Sequence, residues 1–587
     1  MKTQIYFIPN NSLAIIFLVV LFFSSSLETL KAQKKDTLET AIVNIVKPYS
    51  PSISDAFKIR ENPLKIDTSN FKKRKVTYST FSIPVASTFN PAKGKVIRLE
   101  KTAPLQLYDN FAFIGIGNYT NMIAQFSNNF EISATDNIGL FFKHNSSQGG
   151  IKNIYLDDQF YNSQFELNYT SNQKKMSYAL KAKLKHQIYN WYGLNNLFDF
   201  ASPELLNSID SKQIYYSGEV EGTLAKDDSY FEKVVVSLGV TTDRYSSSEF
   251  NFKAHPEFSL KTIDIPLKIN MDIDFLNGNF SRNYSNTNGI DFGFFNVGIL
   301  PSYDFNYEHL ILSVGFAGYL SSDLEKSKTA FYVYPKINAS YGLLNEQLIA
   351  YAGLEGGLKQ NSYNNFIEQN PHLSPTLRIA PTRELYDGFG GLKGELINNI
   401  SFDVRVSYLN EDDRSLFVLN PYKGQSPEFE GYEYGNSFKV TYEELKTLSF
   451  FGELIFDVSK NFNIEINATF YNYEYRSQIK AWNLPKFETT LTADFNITEK
   501  FYGGLSLFFV GERTDLINNS LTIPSGNELL ILDSYFDANV QLVYQFSNQL
   551  SVYARGNNLL DNNYQEWANY KVQGAQGMLG ASYKFDW

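Results

Sequence analysis

Catalysis needs nucleophiles, acids, bases or metal ligands at usable spacings, and this chain offers few. It has no Cys, which removes disulfides, thiolate metal sites and Cys nucleophiles together. Its five His residues, His144, His186, His255, His309 and His372, stand singly, without the pair spacing that holds a metal. No Ser/His/Asp constellation can be assembled around them. Asp157-Asp158 and Glu411-Asp412-Asp413, both placed in external loops, could offer oxygen ligands to Ca²⁺. Neither has EF-hand-like spacing, and solvated loop charge accounts for both. Gly388, Gly390, Gly391 and Gly394 lack the spacing and the strand-to-helix context of a phosphate loop. The reading is therefore no catalytic residue, no cofactor, no metal and no enzyme. Trp191, Tyr192, Trp482 and Trp567 could stack on sugars or other ligands, or could equally stand at a membrane boundary.

The elements that position these residues read as strands. At the C-terminus Leu579, Ala581, Tyr583, Phe585 and Trp587 alternate with Gly580, Ser582, Lys584 and Asp586. A period of two gives one apolar and one polar face. The same pattern runs through Phe462–Phe470, Leu491–Ile497 and Phe536–Phe546, where Val543 is the exception. Tight polar turns are expected near Thr135-Asp136, Asn172-Gln173, Asp227-Asp228, Thr262-Ile263, Asn306-Tyr307, Asn345-Glu346, Asn398-Asn399, Ser459-Lys460, Thr498-Glu499 and Ser547-Asn548. Between them fall mostly long loops, at 147–160, 191–210, 359–386, 410–435, 513–533 and 558–573, with Asn118-Tyr119-Thr120 an unusually short first loop. Short turns on one side and long loops on the other mark a transmembrane barrel. Ten turns and eleven loops make about 22 antiparallel strands, all-β, over residues 109–587. An aromatic content of 16% suits two interfacial girdles. An open sheet in lipid would strand backbone N–H and C=O groups at several kcal/mol each, so the barrel must close.

Residues 1–32 read as a secretory signal: Lys2, an apolar Leu13–Phe23 run too short to span a bilayer, and small Ala32 before the cut. Without Cys the chain cannot be a lipoprotein. Residues 33–108 form an irregular arm with six Pro, which break helices and central strands. Its 14 Lys and Arg against six Asp and Glu leave it at +8, while residues 109–587 carry −19. A basic arm on an acidic body predicts intramolecular attraction, with the arm in the lumen or across its periplasmic mouth; a free periplasmic tail is the equal alternative. An exported chain meets little nucleic acid, so none is expected as a partner.

Asn558-Leu559-Leu560-Asp561-Asn562-Asn563-Tyr564, Gly574 and the final strand Leu579–Phe585 resemble the C-terminal signature of TonB-dependent outer-membrane receptors. Leu484-Pro485-Lys486-Phe487 is similar to the start of another strand of that family, so the resemblance covers roughly 440–587. The long loops and the Asn, Tyr and Phe richness look like the Bacteroidetes branch. Thr40, Ala41, Ile42 and Val43, within Thr37–Val43, are similar to a TonB box, which pairs with TonB by strand addition. The family carries a folded plug before the barrel. Residues 33–108 show no recognisable plug signature and are at most a reduced plug.

The resemblance implies a receptor in the Gram-negative outer membrane that takes part in ligand uptake and transport. Its partners would be outer-membrane lipid, TonB or other envelope proteins, and a small or macromolecular ligand. The missing plug signature favours a second class, a porin-like structural barrel serving an outer-membrane assembly or secretion complex.

Overall fold

The computed structural model describes residues 107–586 except 200, 228, 261–266, 345–346, 398, 476–479 and 519–526. The signal segment, nearly all of the arm, Thr40–Val43 and Trp587 lie outside the described residues, as do the expected turns at Thr262-Ile263 and Asn345-Glu346 and half of that at Asn398-Asn399.

Twenty-two strands pair antiparallel, each with its neighbours along the chain. The first, Asn110–Gly117, also pairs with the last, Gln576–Phe585, from Asn110 opposite Phe585 to Gly117 opposite Met578. The sheet is thus a closed barrel in which every strand has two partners, the condition lipid imposes on backbone polar groups. The seam has a specific filler. Gly115 faces Gly580 across it, and the Tyr553 ring lies over both; a Cβ at either position would stand within 2.5 Å of the Tyr553 hydroxyl oxygen. Phe113 stacks on that ring at 4.5 Å.

The expected faces hold. On the last strand Leu579 and Tyr583 are 67% and 45% exposed, while Met578 and Ser582, each one residue earlier, are buried. On Tyr535–Gln545, Phe536 and Tyr544 point outward, and Asp537, Asn539 and the exceptional Val543 are buried inside. Around the barrel the outward band is aliphatic at mid-height, with Leu180, Val220, Leu238, Ile299, Val314 and Val404 all exposed. Exposed aromatics flank it: Phe130, Phe305, Tyr307, Tyr341 and Phe546 near the turns, and Phe295, Phe331 and Phe470 towards the loops. These are the two girdles of a membrane barrel. No described helix is long and apolar enough to cross a membrane.

Ten turns and eleven loops connect the strands. The expected 410–435 loop is shorter than predicted, because the strand Ile400–Leu419 continues to Leu419 and its partner begins at Phe438. At 20 and 22 residues these two strands are about twice the length needed to cross a membrane. Inside the long loops lie two small hairpins, Arg513–Asn518 with Asn527–Leu532 and Gln565–Trp567 with Tyr570–Lys571. Two short helices, α1 (Pro203–Ser208) and α2 (Tyr363–Gln369), complete the loop layer.

Candidate functional site: the loop-covered mouth

The main apolar core is not in the barrel wall but where the loops meet. Tyr363, Phe366, Ile367, Leu373, Leu377 and Ile379 pack with Phe417, Phe438, Ala568 and Tyr570 and with wall residues Tyr215, Leu276, Phe280 and Phe292. Six of these come from one segment, 360–381, which folds inward.

Helix α2 heads that segment. Ser362 caps it, its Oγ accepting from Asn365 N–H at 3.1 Å, and the buried face carries Tyr363, Phe366 and Ile367. The barrel wall holds it from several strands. The Glu249 carboxylate accepts from Tyr363 N–H at 2.5 Å and Asn364 N–H at 3.2 Å. Tyr363 donates its hydroxyl to Asp243 at 2.8 Å, and Asp243 also receives Gln213 Nε2 at 3.1 Å. Lys185, inward on its strand, meets Glu368 at 2.6 Å. Asn296 Nδ2 donates to Gln360 at 2.8 Å, and the Tyr215 hydroxyl to Pro371 O at 2.9 Å.

Three further loops lock onto the segment. Trp191 Nε1 donates to Leu373 O at 3.2 Å, and Asn436 Nδ2 to Trp191 O at 2.7 Å. Leu373 and Phe438 form a parallel bridge flanked by Ser374 N–H to Phe438 O and Phe438 N–H to His372 O. The Tyr570 hydroxyl donates to Asn436 O, and that of Tyr192 to Lys571 O at 3.0 Å. His372 stacks on the Tyr570 ring at 3.8 Å, with Tyr189 and Tyr192 edge-on to it. Loops from distant parts of the rim therefore interlock through buried hydrogen bonds, which cost most when broken without replacement.

His372 and Asp515 are two of the buried ionisable groups in this layer. His372 has an unpartnered Nδ1, and burial pulls its pKa from 6.5 down to about 3, holding it neutral. Asp515, wholly buried in the Arg513–Asn518 strand, accepts from Leu516 N–H at 2.7 Å and Leu419 N–H at 3.4 Å. Burial outweighs those bonds and the nearby Arg513, pushing its pKa up to about 7. Beneath the loops the inward faces are charged, with Lys181–Glu166, Lys268–Asp304 and Arg405–Asp387 at 3.3, 2.8 and 2.9 Å.

The predicted candidates fall as follows. Trp191 is fully buried among the loops, beside Tyr245 and Tyr432; Trp482 packs on Leu416 and Val418; Trp567 lies edge-on to Phe417. Trp191 and Trp482 are buried, Trp567 is half-buried, and none of the three stands on the outward band. Glu411-Asp412-Asp413 is not in a loop. It lies inside the strand Ile400–Leu419, at a bulge where Asp413 takes φ +54°. Glu411 pairs with Arg414 at 2.9 Å and Asp412 with Arg383 at 2.6 Å, so arginines satisfy the cluster. Asp158 accepts from Gly149 N–H at 2.7 Å, ordering its own loop. Gly388, Gly390, Gly391 and Gly394 lie in the strand Thr382–Ile397. Among the described residues no group of three or more His, Asp or Glu is arranged to hold a metal. Glu249, Tyr363, His372 and Tyr570 carry no sequence signal that would have marked them.

No family model matches the chain, and no curated protein matches it by sequence. Solved structures do match in fold. The ferripyoverdine receptor of the Pseudomonas aeruginosa outer membrane aligns with a TM-score of 0.59 at 13% identity, over 82% of this chain and 72% of that one. The siderophore receptor PirA of Acinetobacter baumannii aligns at 0.60 and 12%, over 81% and 80%. The ferric-catecholate import receptor Fiu of E. coli K12, in its closed form, aligns at 0.59 and 10%, over 82% of each chain. The chain therefore has the fold of the siderophore-receptor barrels, a closed antiparallel barrel of 22 strands.

Proposed function

We propose that this chain is an outer-membrane barrel of TonB-dependent-receptor type that takes up a small-molecule ligand through a loop-gated mouth. The observation that carries the reading is segment 360–381, held to the inner wall by Glu249, Asp243, Tyr215 and Lys185 and clasped by three other loops. Tethering of this kind across the mouth supports a gated conduit over an open porin. The fold shared with siderophore receptors supports the same reading. In this proposal residues 1–32 direct export, 33–108 form a periplasmic or lumenal arm, and Thr40, Ala41, Ile42 and Val43 pair with TonB as an added strand. The loops release when ligand binds, and passage follows through the charged lumen.

The test is uptake by cells that express the full chain and lack other receptors, challenged with a panel of iron-loaded siderophores. At least one should be accumulated, and deletion of Thr40–Val43 should abolish that accumulation while the barrel still assembles. Uptake that survives the deletion removes the TonB assignment; no uptake across the panel removes the siderophore class.

The dense packing of the mouth also suits the second reading, a structural subunit of an envelope assembly. Co-purification from native outer membranes at fixed stoichiometry with other envelope proteins, without ligand-dependent uptake, would select it.

A further inference from the structure

The outward face of the barrel carries a polar row where a membrane barrel has little use for one. His144 pairs with Ser163, Ser163 with His186, His186 with Tyr216, and Tyr216 with Thr242, so five residues stand side by side across five strands. They share the face of Phe142, Phe165, Leu184 and Val240, all exposed, so the row points away from the lumen. It lies three or four residues from the loop ends of its strands, except at Thr242, next to the last residue of its own. The row therefore stands on the loop side of the exposed aliphatic band.

Within the row His144 Nδ1 meets Ser163 Oγ at 2.8 Å, its Nε2 meets Ser146 Oγ at 3.1 Å, and His186 stacks on Tyr216 at 5.0 Å. Among the described residues the His186 ring nitrogens meet no hydrogen-bond partner. Directly beneath the row is a groove of about 420 Å³. Its walls are Phe142, Phe165, Leu184 and Val240, and its notch is Gly218, where a Cβ would stand 3.3 Å from Leu184 Cδ2. One end of the depression is apolar and opens onto the lipid-facing band; the other offers imidazole and hydroxyl groups.

That gradient fits an amphiphile lying along the wall. We infer that the groove holds one acyl chain of an outer-leaflet lipid, with the amide or acyl-chain hydroxyl oxygens of that lipid hydrogen-bonded to His186, Ser163 and Tyr216. The inference rests on the barrel fold and its girdles, not on the uptake reading. The bilayer continues the same apolar surface, so this occupant needs no entry path. Nothing in the row carries a fixed charge, so the contact reads the polar linkage of the lipid and not its phosphate.

Native mass spectrometry of the full-length protein, released from mild detergent after addition of lipid A or of phosphatidylethanolamine, tests this. Lipid A adducts should persist in the wild type and fall at least tenfold in Gly218→Leu, which fills the notch, and in His186→Leu, which removes the polar end. Gly222→Leu is the control: it faces outward on the same strand, and a Cβ there meets nothing within 4 Å. Its adducts should match the wild type. Unboiled gel migration verifies that each variant is a closed barrel. Equal adducts in all variants, equal loss in Gly222→Leu, or equal retention of phosphatidylethanolamine would each overturn the assignment.

Discussion

Acid should loosen the mouth through His372. The imidazole is buried against Tyr570, with burial holding its pKa near 3 instead of 6.5. A depressed pKa means that the packed loop binds the proton less well than an open one. Packing is therefore at full strength above pH 6.5 and weakens as pH falls towards 3. At pH 5 an exposed His372 is mostly charged and a buried one is not. The difference is about 1.5 pH units of proton binding, or about 2 kcal/mol, which raises the open fraction about 30-fold over pH 7.5. The absence of Cys makes this measurable. A single Leu377→Cys places a thiol at a fully buried position of the same segment, reachable only when it opens. In the Asp515→Asn background, which removes an opposing titration, labelling rates normalised to an exposed single-Cys control at each pH should rise about 30-fold from pH 7.5 to 5. His372→Phe keeps the ring on Tyr570 and should flatten the profile. An equal rise in His372→Phe, or no rise in either the native or the Asp515→Asn background, would refute the reasoning.

Asp515 works in the other sense. Its pKa is raised, so packing of its hairpin is strongest below pH 3.8 and weakens as pH rises through about 7. Asp515→Asn keeps the size and the carbonyl acceptor, and should slow proteolysis of the 513–532 hairpin at pH 8.5, with about 4 kcal/mol as the upper bound. Glu249→Ala leaves the Tyr363 and Asn364 amides without their acceptor and should cost about 2–4 kcal/mol of loop packing, read as faster labelling of Leu377→Cys at pH 7.5. Gly115→Val drives a side chain into Tyr553 at the seam and should cost about 1–3 kcal/mol, read as a lower temperature of conversion from compact to extended gel mobility; Gly115→Val with Tyr553→Ala should recover most of it.

The wall of this protein was legible in its residues and the mouth was not. Strand count and facing follow from a period of two and from turns shorter than loops, both local features, and even the inward Val543 stood out as a break in pattern. The interlock depends on pairs such as Trp191 with Leu373 and Asn436 with Tyr570, which are 182 and 134 residues apart and carry no mutual signal. Glu411-Asp412-Asp413 looked like a loop because three consecutive acids are costly in a strand. Arg383 and Arg414 remove that cost, one from the neighbouring strand and one across a bulge, and only the paired register reveals them. Trp191 and Trp567 looked like surface aromatics because their flanks are polar. Those polar neighbours are loop residues whose hydrogen bonds are met by other loops.

Whether the mouth opens as one body or loop by loop can be decided from the two titrations together. His372 adds packing free energy at about 1.4 kcal/mol per pH unit as pH rises towards 6.5, and Asp515 removes it at the same rate between pH 3.8 and about 7. If one motion exposes both groups, the slopes cancel between about pH 4 and 6.5, and native labelling of Leu377→Cys is flat there; Asp515→Asn then uncovers the 30-fold acid response. If segment 360–381 moves alone, Asp515 stays buried throughout, and the native and Asp515→Asn proteins respond to acid alike. The core that joins Leu377, Leu532 and Ala568 favours the single motion, because opening any one of these loops strips apolar cover from the others. An acid response of equal size in both backgrounds would show that the loops are separate gates.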